Sequence, residues 1–215
     1  MAHEHNHAAK DFNRAFAIGI ALNVVFVLIE TAFGITARSL ALLADAGHNF
    51  GDVLGLLLAW GASYLVRQRP TERRTYGLRR SSILAAALNA SLLLIAVGVI
   101  AWEAIDRLFR PPPVAGGTVI LVAAAGVVIN TVTALLFMSG REHDLNIRGA
   151  FMHMVTDAAV SLGVVVAGII IYLTGWAWVD PAISLVIAGV ITVGTWDLLR
   201  QIGRASCRER VSYSV

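Results

Sequence analysis

Cysteine is almost absent from this sequence: the one residue, Cys207, lies close to the end of the chain. That excludes a disulfide framework and a thiolate cluster, so any metal site has to be built from nitrogen and oxygen donors. Charge is scarce as well. Asp, Glu, Lys and Arg make up 14% of the chain, against about 25% in an ordinary soluble domain. Proline is rare, with three of the five residues standing together at Pro111, Pro112 and Pro113, so little interrupts the intervening apolar runs. The start, MAHEHNHAAKDFNR, is polar and lacks the short apolar run and small-residue cleavage site of a signal peptide, so the first apolar segment is expected to remain as a span.

What is abundant is apolar. The chain is 57% hydrophobic with a mean hydropathy of +0.72, the composition of an integral membrane protein. Runs long enough to cross about 30 Å of hydrocarbon occupy about residues 15–36, 39–66, 82–105, 116–138, 147–174 and 178–200. The expected fold class is therefore all-α, a six-helix transmembrane bundle. Residues 1–14 form a tail carrying a short His tract, 15–200 the membrane domain, and 201–215 a second tail. The stretch from Ile202 to Val211, IGRASCRERV, resembles translated sequencing-adapter read-through, so the natural chain is expected to continue differently beyond about Gln201.

The net charge of +3 does not indicate nucleic acid, because the arginines flank apolar runs. With the N-terminus inside, Lys10, Arg14, Arg67, Arg69, Arg73, Arg74, Arg79, Arg80, Arg141, Arg148 and Arg200 fall on the cytoplasmic side, and Arg38, Arg107 and Arg110 outside. This bias predicts both termini in the cytoplasm. The triple proline then sits in an external loop, where it costs no helical hydrogen bond.

Within the apolar runs one polar pattern occurs twice: His48 with Asp52, and His153 with Asp157. A carboxylate at bilayer depth costs about 2.5–3.5 kcal/mol on an insertion scale, so such residues generally have a use. Residues four apart share a helix face, offset by roughly 6 Å along the axis. Two such helices packed together can bring four ligands to one ion. Two imidazoles and two carboxylates suit tetrahedral Zn2+ and accept Co2+ or Cd2+. The carboxylates neutralise a divalent cation, and in its absence protons occupy the same groups, which makes competition between metal and proton a physical route to antiport. The bland reading is that each His bonds its own Asp and merely links helices.

Other polar residues lie nearby. Asp45 shares nearly the same face as His48 and Asp52, as a partner of His48 or part of an access path. Glu30 is a candidate for a proton or cation path, or a residue near the outer interface. Asn130 and Asn89 are helix bridges by default, with Asn130 also a candidate to flank the path. His3, His5 and His7 form a tract suited to weak metal capture or simply solvated, and His143 reads as a loop residue. Gly47, Gly51 and Gly55 recur every fourth position and predict close helix approach beside the site.

The segments LNVVFVLIETAFGITARSLALLADAGHNFGDVLGLLLAW, RRTYGLRRSSILAAALNA, GREHDLNIRGAFMHMVTDAAVSLGVVVAG and TGWAWVDPAISLVI together resemble the membrane domain of the cation diffusion facilitator family, above all its bacterial zinc, cobalt and cadmium efflux branch. The resemblance covers about residues 12–200. It implies a multi-pass protein of the bacterial inner membrane, a homodimer, and proton-coupled export of Zn2+, with Co2+ or Cd2+ also carried. The metal is then transported substrate, not catalytic cofactor, and His48, Asp52, His153 and Asp157 form the transport site. Family members usually continue into a soluble cytoplasmic domain that helps hold the dimer, and this sequence stops before one. Two alternatives remain: a membrane metal sensor or scaffold that does not transport, and a membrane metalloenzyme. The latter is disfavoured, since the sequence has no HExxH motif and no separate catalytic residue.

Overall fold

The computed structural model describes the backbone of residues 7–66, 79–138 and 145–211. Six helices follow one another: α1 (His7–Thr36), α2 (Leu40–Val66), α3 (Arg79–Phe109), α4 (Gly116–Met138), α5 (Leu145–Thr174) and α6 (Val179–Val211). The described residues contain no strand. The all-α bundle expected from the apolar runs is what forms. Five helices, all but α2, contain a described stretch long and apolar enough to cross a membrane. In α2 the described half carries Asp45, His48, Asn49 and Asp52, which dilute its hydropathy.

The bundle is apolar outside and polar within. Val25, Leu28, Ile95, Val99, Leu121, Val186 and Val193 are exposed, as expected of surfaces that meet acyl chains. Glu30, Asp45, Asn130, Asp157 and Asp180 are buried. Small residues fill much of the interior, among them Ala41, Ala44, Ala123, Ala167 and Ala188. In a membrane, where lipid is as apolar as leucine, close packing of small residues replaces the hydrophobic effect as the cohesive force. Trp176 and Trp178 stack at 6.0 Å beside the α5–α6 turn, both exposed, in the manner of an interfacial aromatic anchor.

Helix α2 is the hub, packing against α1, α3, α5 and α6, while α4 pairs extensively with α5 and also meets α1. The α4–α5 contact is the tightest. A Cβ at Gly116 would stand 2.9 Å from the backbone nitrogen of Tyr172 and 3.1 Å from the carbonyl oxygen of Gly168. In the expected glycine stripe of α2, Gly51 does sit against Leu93 of α3, at 3.0 Å for a built Cβ, whereas Gly47 has ordinary room. The packing of Gly55 lies outside the described residues.

The end of the bundle that carries the α1–α2, α3–α4 and α5–α6 turns is tied together by hydrogen bonds. Arg38 closes α1 in the left-handed region at φ 56°, and the N–H of Ser39 reaches back to the Gly34 carbonyl at 3.0 Å. Ser39 is the N-cap of α2, its Oγ accepting from the Leu42 N–H at 3.2 Å. Asp180, from the first turn of α6, adds a second cap. Its carboxylate accepts from the Leu40 N–H at 2.7 Å, from the Ala41 N–H at 3.3 Å and from the Ser39 hydroxyl. Arg107 of α3 donates to the Arg38 carbonyl at 2.8 Å, and the Ala115 N–H donates to the Ala37 carbonyl at 3.2 Å. The start of α2 is thus held by α3, α6 and the α3–α4 loop.

Removing this cap should loosen that end. Asp180→Ala is expected to destabilise the folded protein by about 1–2 kcal/mol, the usual worth of an N-cap, read as a lower unfolding temperature in detergent. Asp180→Asn, which keeps one acceptor, should lose less; an unchanged midpoint for both would contradict the capping role.

Candidate metal site

The two His/Asp pairs meet. Helices α2 and α5 pack against each other, and each presents its pair toward the other. His48 Nε2 lies 3.3 Å from Asp157 Oδ1, and His153 Nε2 lies 3.2 Å from Asp52 Oδ2, both contacts crossing between helices. Along the helices, His48 Nδ1 stands 3.6 Å from Asp52 Oδ2 and His153 Nε2 3.7 Å from Asp157 Oδ2. Ligand atoms of His48, Asp52 and Asp157 all lie within 4.8 Å of one another, and His153 joins them through its contacts to both carboxylates. The two imidazoles sit edge to face with centroids 6.0 Å apart.

The two cross-helix separations are compatible with ligands of one metal ion. A tetrahedron with bonds of about 2.0–2.1 Å has edges of roughly 3.3 Å, close to the two cross-helix distances. Despite that proximity, His48 Nδ1, Asp52 Oδ2 and both Asp157 oxygens are buried with no hydrogen-bond partner. Buried polar atoms left unmatched are costly, and here they are clustered on three residues whose ligand atoms lie within 4.8 Å of one another. Each His stands near its own Asp, as the bland reading of the sequence has it, and the shorter contacts run between helices.

The four side chains differ in exposure. The Asp157 side chain is 1% exposed and that of His48 16%, against 23% for Asp52 and 38% for His153. The better exposed pair lies farther from the tied turn end, toward the C-terminal half of α2 and the N-terminal half of α5.

The remaining polar candidates divide. Asn89 bridges helices as expected, its amide donating to the Gly51 carbonyl at 3.1 Å, and Asn23 bonds the Gly19 carbonyl of its own helix at 3.0 Å. Asp45 is buried beside the site but ion-pairs with neither imidazole; it accepts from the Ser161 hydroxyl at 2.8 Å. Glu30 is buried and accepts from the Asn49 amide at 3.3 Å. Asn130 is fully buried, with neither side-chain polar atom partnered. His3, His5 and His143 lie outside the described residues, as does the side chain of His7.

Ser161, Asn49 and Asp180 were not singled out by the sequence reading. Ser161 had a usable signal, since it falls one helical turn beyond Asp157 and two beyond His153 on the same face.

The family model described as the cation efflux transmembrane domain matches residues 16–204. The chain belongs to this family. Among relatives of this cation efflux domain, the cadmium, cobalt and zinc/H(+)-K(+) antiporter of Bacillus velezensis is 35% identical over 190 residues, covering 87% of this chain and 61% of the relative. The metal cation efflux system protein CzcD of Cupriavidus metallidurans is 37% identical over 198 residues, covering 92% and 62%. The zinc transporter ZitB of Escherichia coli is 38% identical over 206 residues, covering 93% and 66%. The chain thus spans about three fifths to two thirds of the length of these relatives.

If the quartet holds metal, losing its most buried carboxylate should be severe. Asp157→Ala is expected to weaken Zn2+ affinity by at least about 100-fold, the upper end of what even loss of an outer supporting group costs a metal site, measured by calorimetric titration of the purified protein. Affinity of the unmodified protein should fall as pH is lowered, because all four ligands bind metal only when deprotonated. Binding that ignores both changes would place the metal elsewhere.

Proposed function

We propose that this chain is the membrane portion of a divalent cation exporter that moves Zn2+, with Co2+ or Cd2+ as further substrates, out of the cytoplasm in exchange for protons. The observation that carries the reading is the meeting of the two His/Asp pairs, with His-to-Asp contacts of 3.2–3.7 Å, in the interior of a membrane bundle. A resident structural zinc would normally be enclosed on every side. Here the open flank at Asp52 and His153 gives an ion a way in, and two carboxylates offset its charge at a depth where an unpaired divalent cation would be prohibitive. The names carried by the relatives from Bacillus, Cupriavidus and Escherichia agree with this substrate class.

The direction follows from charge. The basic residues concentrated at the end opposite the tied turns support a cytoplasmic location for that end and for both termini, in a bacterial inner membrane. The open flank of the site then faces the cytoplasm, and the hydrogen-bonded turn end is the closed outer side. In this reading α2 and α5 carry the ion between inward and outward openings. Protons taken up by the imidazoles and carboxylates on the outer side displace the metal, and their release on the inner side readies the ligands for the next ion. No catalytic group is required.

Residues 15–200 act as the transport unit in this proposal. Asp45, Glu30 and Asn130 flank the ion's path, the His3, His5 and His7 tract offers weak capture, and a second copy of the chain is the protein partner. Apolar surface exposed on all sides supports lipid as the remaining partner.

Reconstitution tests the reading. Vesicles holding the protein, with a pH gradient imposed, should show gradient-driven Zn2+ flux that is lost in His48→Ala and in Asp157→Ala. Flux unchanged in either variant would overturn the site, and tight binding without any flux would favour a metal sensor.

A further inference from the structure

The polar cluster between the metal site and the tied turn end is not accounted for by metal binding. Glu30 of α1 and Asp45 of α2 are both 0% exposed, and Asn49, which donates to Glu30, stands one helical turn beyond Asp45 on the same face of α2, so the two carboxyl groups are neighbours. Each has one donor. Asn49 serves Glu30 Oε2 at 3.3 Å and Ser161 serves Asp45 Oδ2 at 2.8 Å. The oxygen left over on each, Glu30 Oε1 and Asp45 Oδ1, has none. Nor, among the described residues, is there a cation to compensate two charges. His48 pairs with Asp52 and Asp157, the described part of α4 contains no titratable side chain, Glu103 occupies Arg107 on α3, and Asp180 of α6 is committed to the α2 cap.

Two neighbouring carboxylates out of water cannot both be ionised, and one proton between them repairs the deficit. Carried by one carboxyl and accepted by the other, it gives both orphaned oxygens a partner at once. We propose that Glu30 and Asp45 form a shared-proton site, distinct from the four metal ligands and placed on their outer flank. Asp45 lies three residues before His48, a rise of roughly 4.5 Å along α2 toward the turn end. A proton held there is one helical turn from the ion, on the side from which protons arrive if the export reading is right. The pair then serves as a proton store for the exchange; that coupling rests on the proposed function, whereas the shared proton itself does not.

Infrared difference spectroscopy of the full chain in lipid separates the two. A protonated-carboxyl stretch is expected in the unmodified protein, lost in Glu30→Gln and in Asp45→Asn, and retained in Asp157→Asn. Glutamine keeps the shape of Glu30 and supplies a permanent donor to Asp45, so the fold should survive, and Zn2+ binding measured on the same sample reports that it has. No such band in the unmodified protein, or a band that persists in both Glu30→Gln and Asp45→Asn, would overturn the shared proton. In vesicles, Glu30→Gln should lose the response of Zn2+ flux to the imposed pH gradient; a response identical to the unmodified protein's would overturn the coupling. If the unmodified protein moves no Zn2+ while the infrared pattern holds, the export reading fails and the proton site stands.

Discussion

Charge inside a bilayer has to be matched, and most of what is distinctive in this bundle follows from how each buried acid is matched. Asp180 is satisfied by the backbone N–H groups at the start of α2, so its charge is spent on holding that helix to α6. Asp45 and Glu30 are neighbours that each receive one side-chain donor. Asp52 and Asp157 have only the imidazoles, at distances that leave the buried oxygens without hydrogen bonds. The three cases differ in what would complete them: nothing further for Asp180, a proton for the carboxyl pair, and a divalent cation for the quartet.

The scaffold reflects the same constraint. With lipid outside, apolar packing alone does not decide which helices touch, so contacts are made by small residues and by polar bridges such as Asn89 to the Gly51 carbonyl. Glycines at the α4–α5 contact allow near backbone-to-backbone approach, which sets where α5 stands and hence where His153 and Asp157 point. On α2, capping by Ser39 and Asp180 fixes the start of the helix two to three turns before His48. The ligands are therefore positioned by regular helices anchored at the turn end.

The helices were legible in the sequence because long apolar runs in a charge-poor chain have no other stable form in lipid. Their ends were less so: α3 runs from Arg79 to Phe109, beyond the apolar stretch that announced it, since helix formers such as Arg, Ala and Glu extend a helix past the hydrocarbon. The quartet was legible because the four-residue spacing puts each pair on one face and repeats. What the spacing could not give was the pairing across helices, with His48 nearer Asp157 than its own Asp52. The roles of Ser161, Asn49 and Asp180 were hidden for a related reason. Each is a common polar residue whose meaning comes only from a partner 19 to 141 positions away.

The central claim is that two helices supply one nitrogen- and oxygen-ligated tetrahedral site, and X-ray absorption at the zinc edge of the metal-loaded protein tests it most directly. The account predicts four nitrogen or oxygen ligands at about 2.0–2.1 Å, with outer-shell scattering from imidazole rings. Six oxygen neighbours without an imidazole signature would contradict it, and so would an unchanged spectrum in a protein lacking His48 and His153.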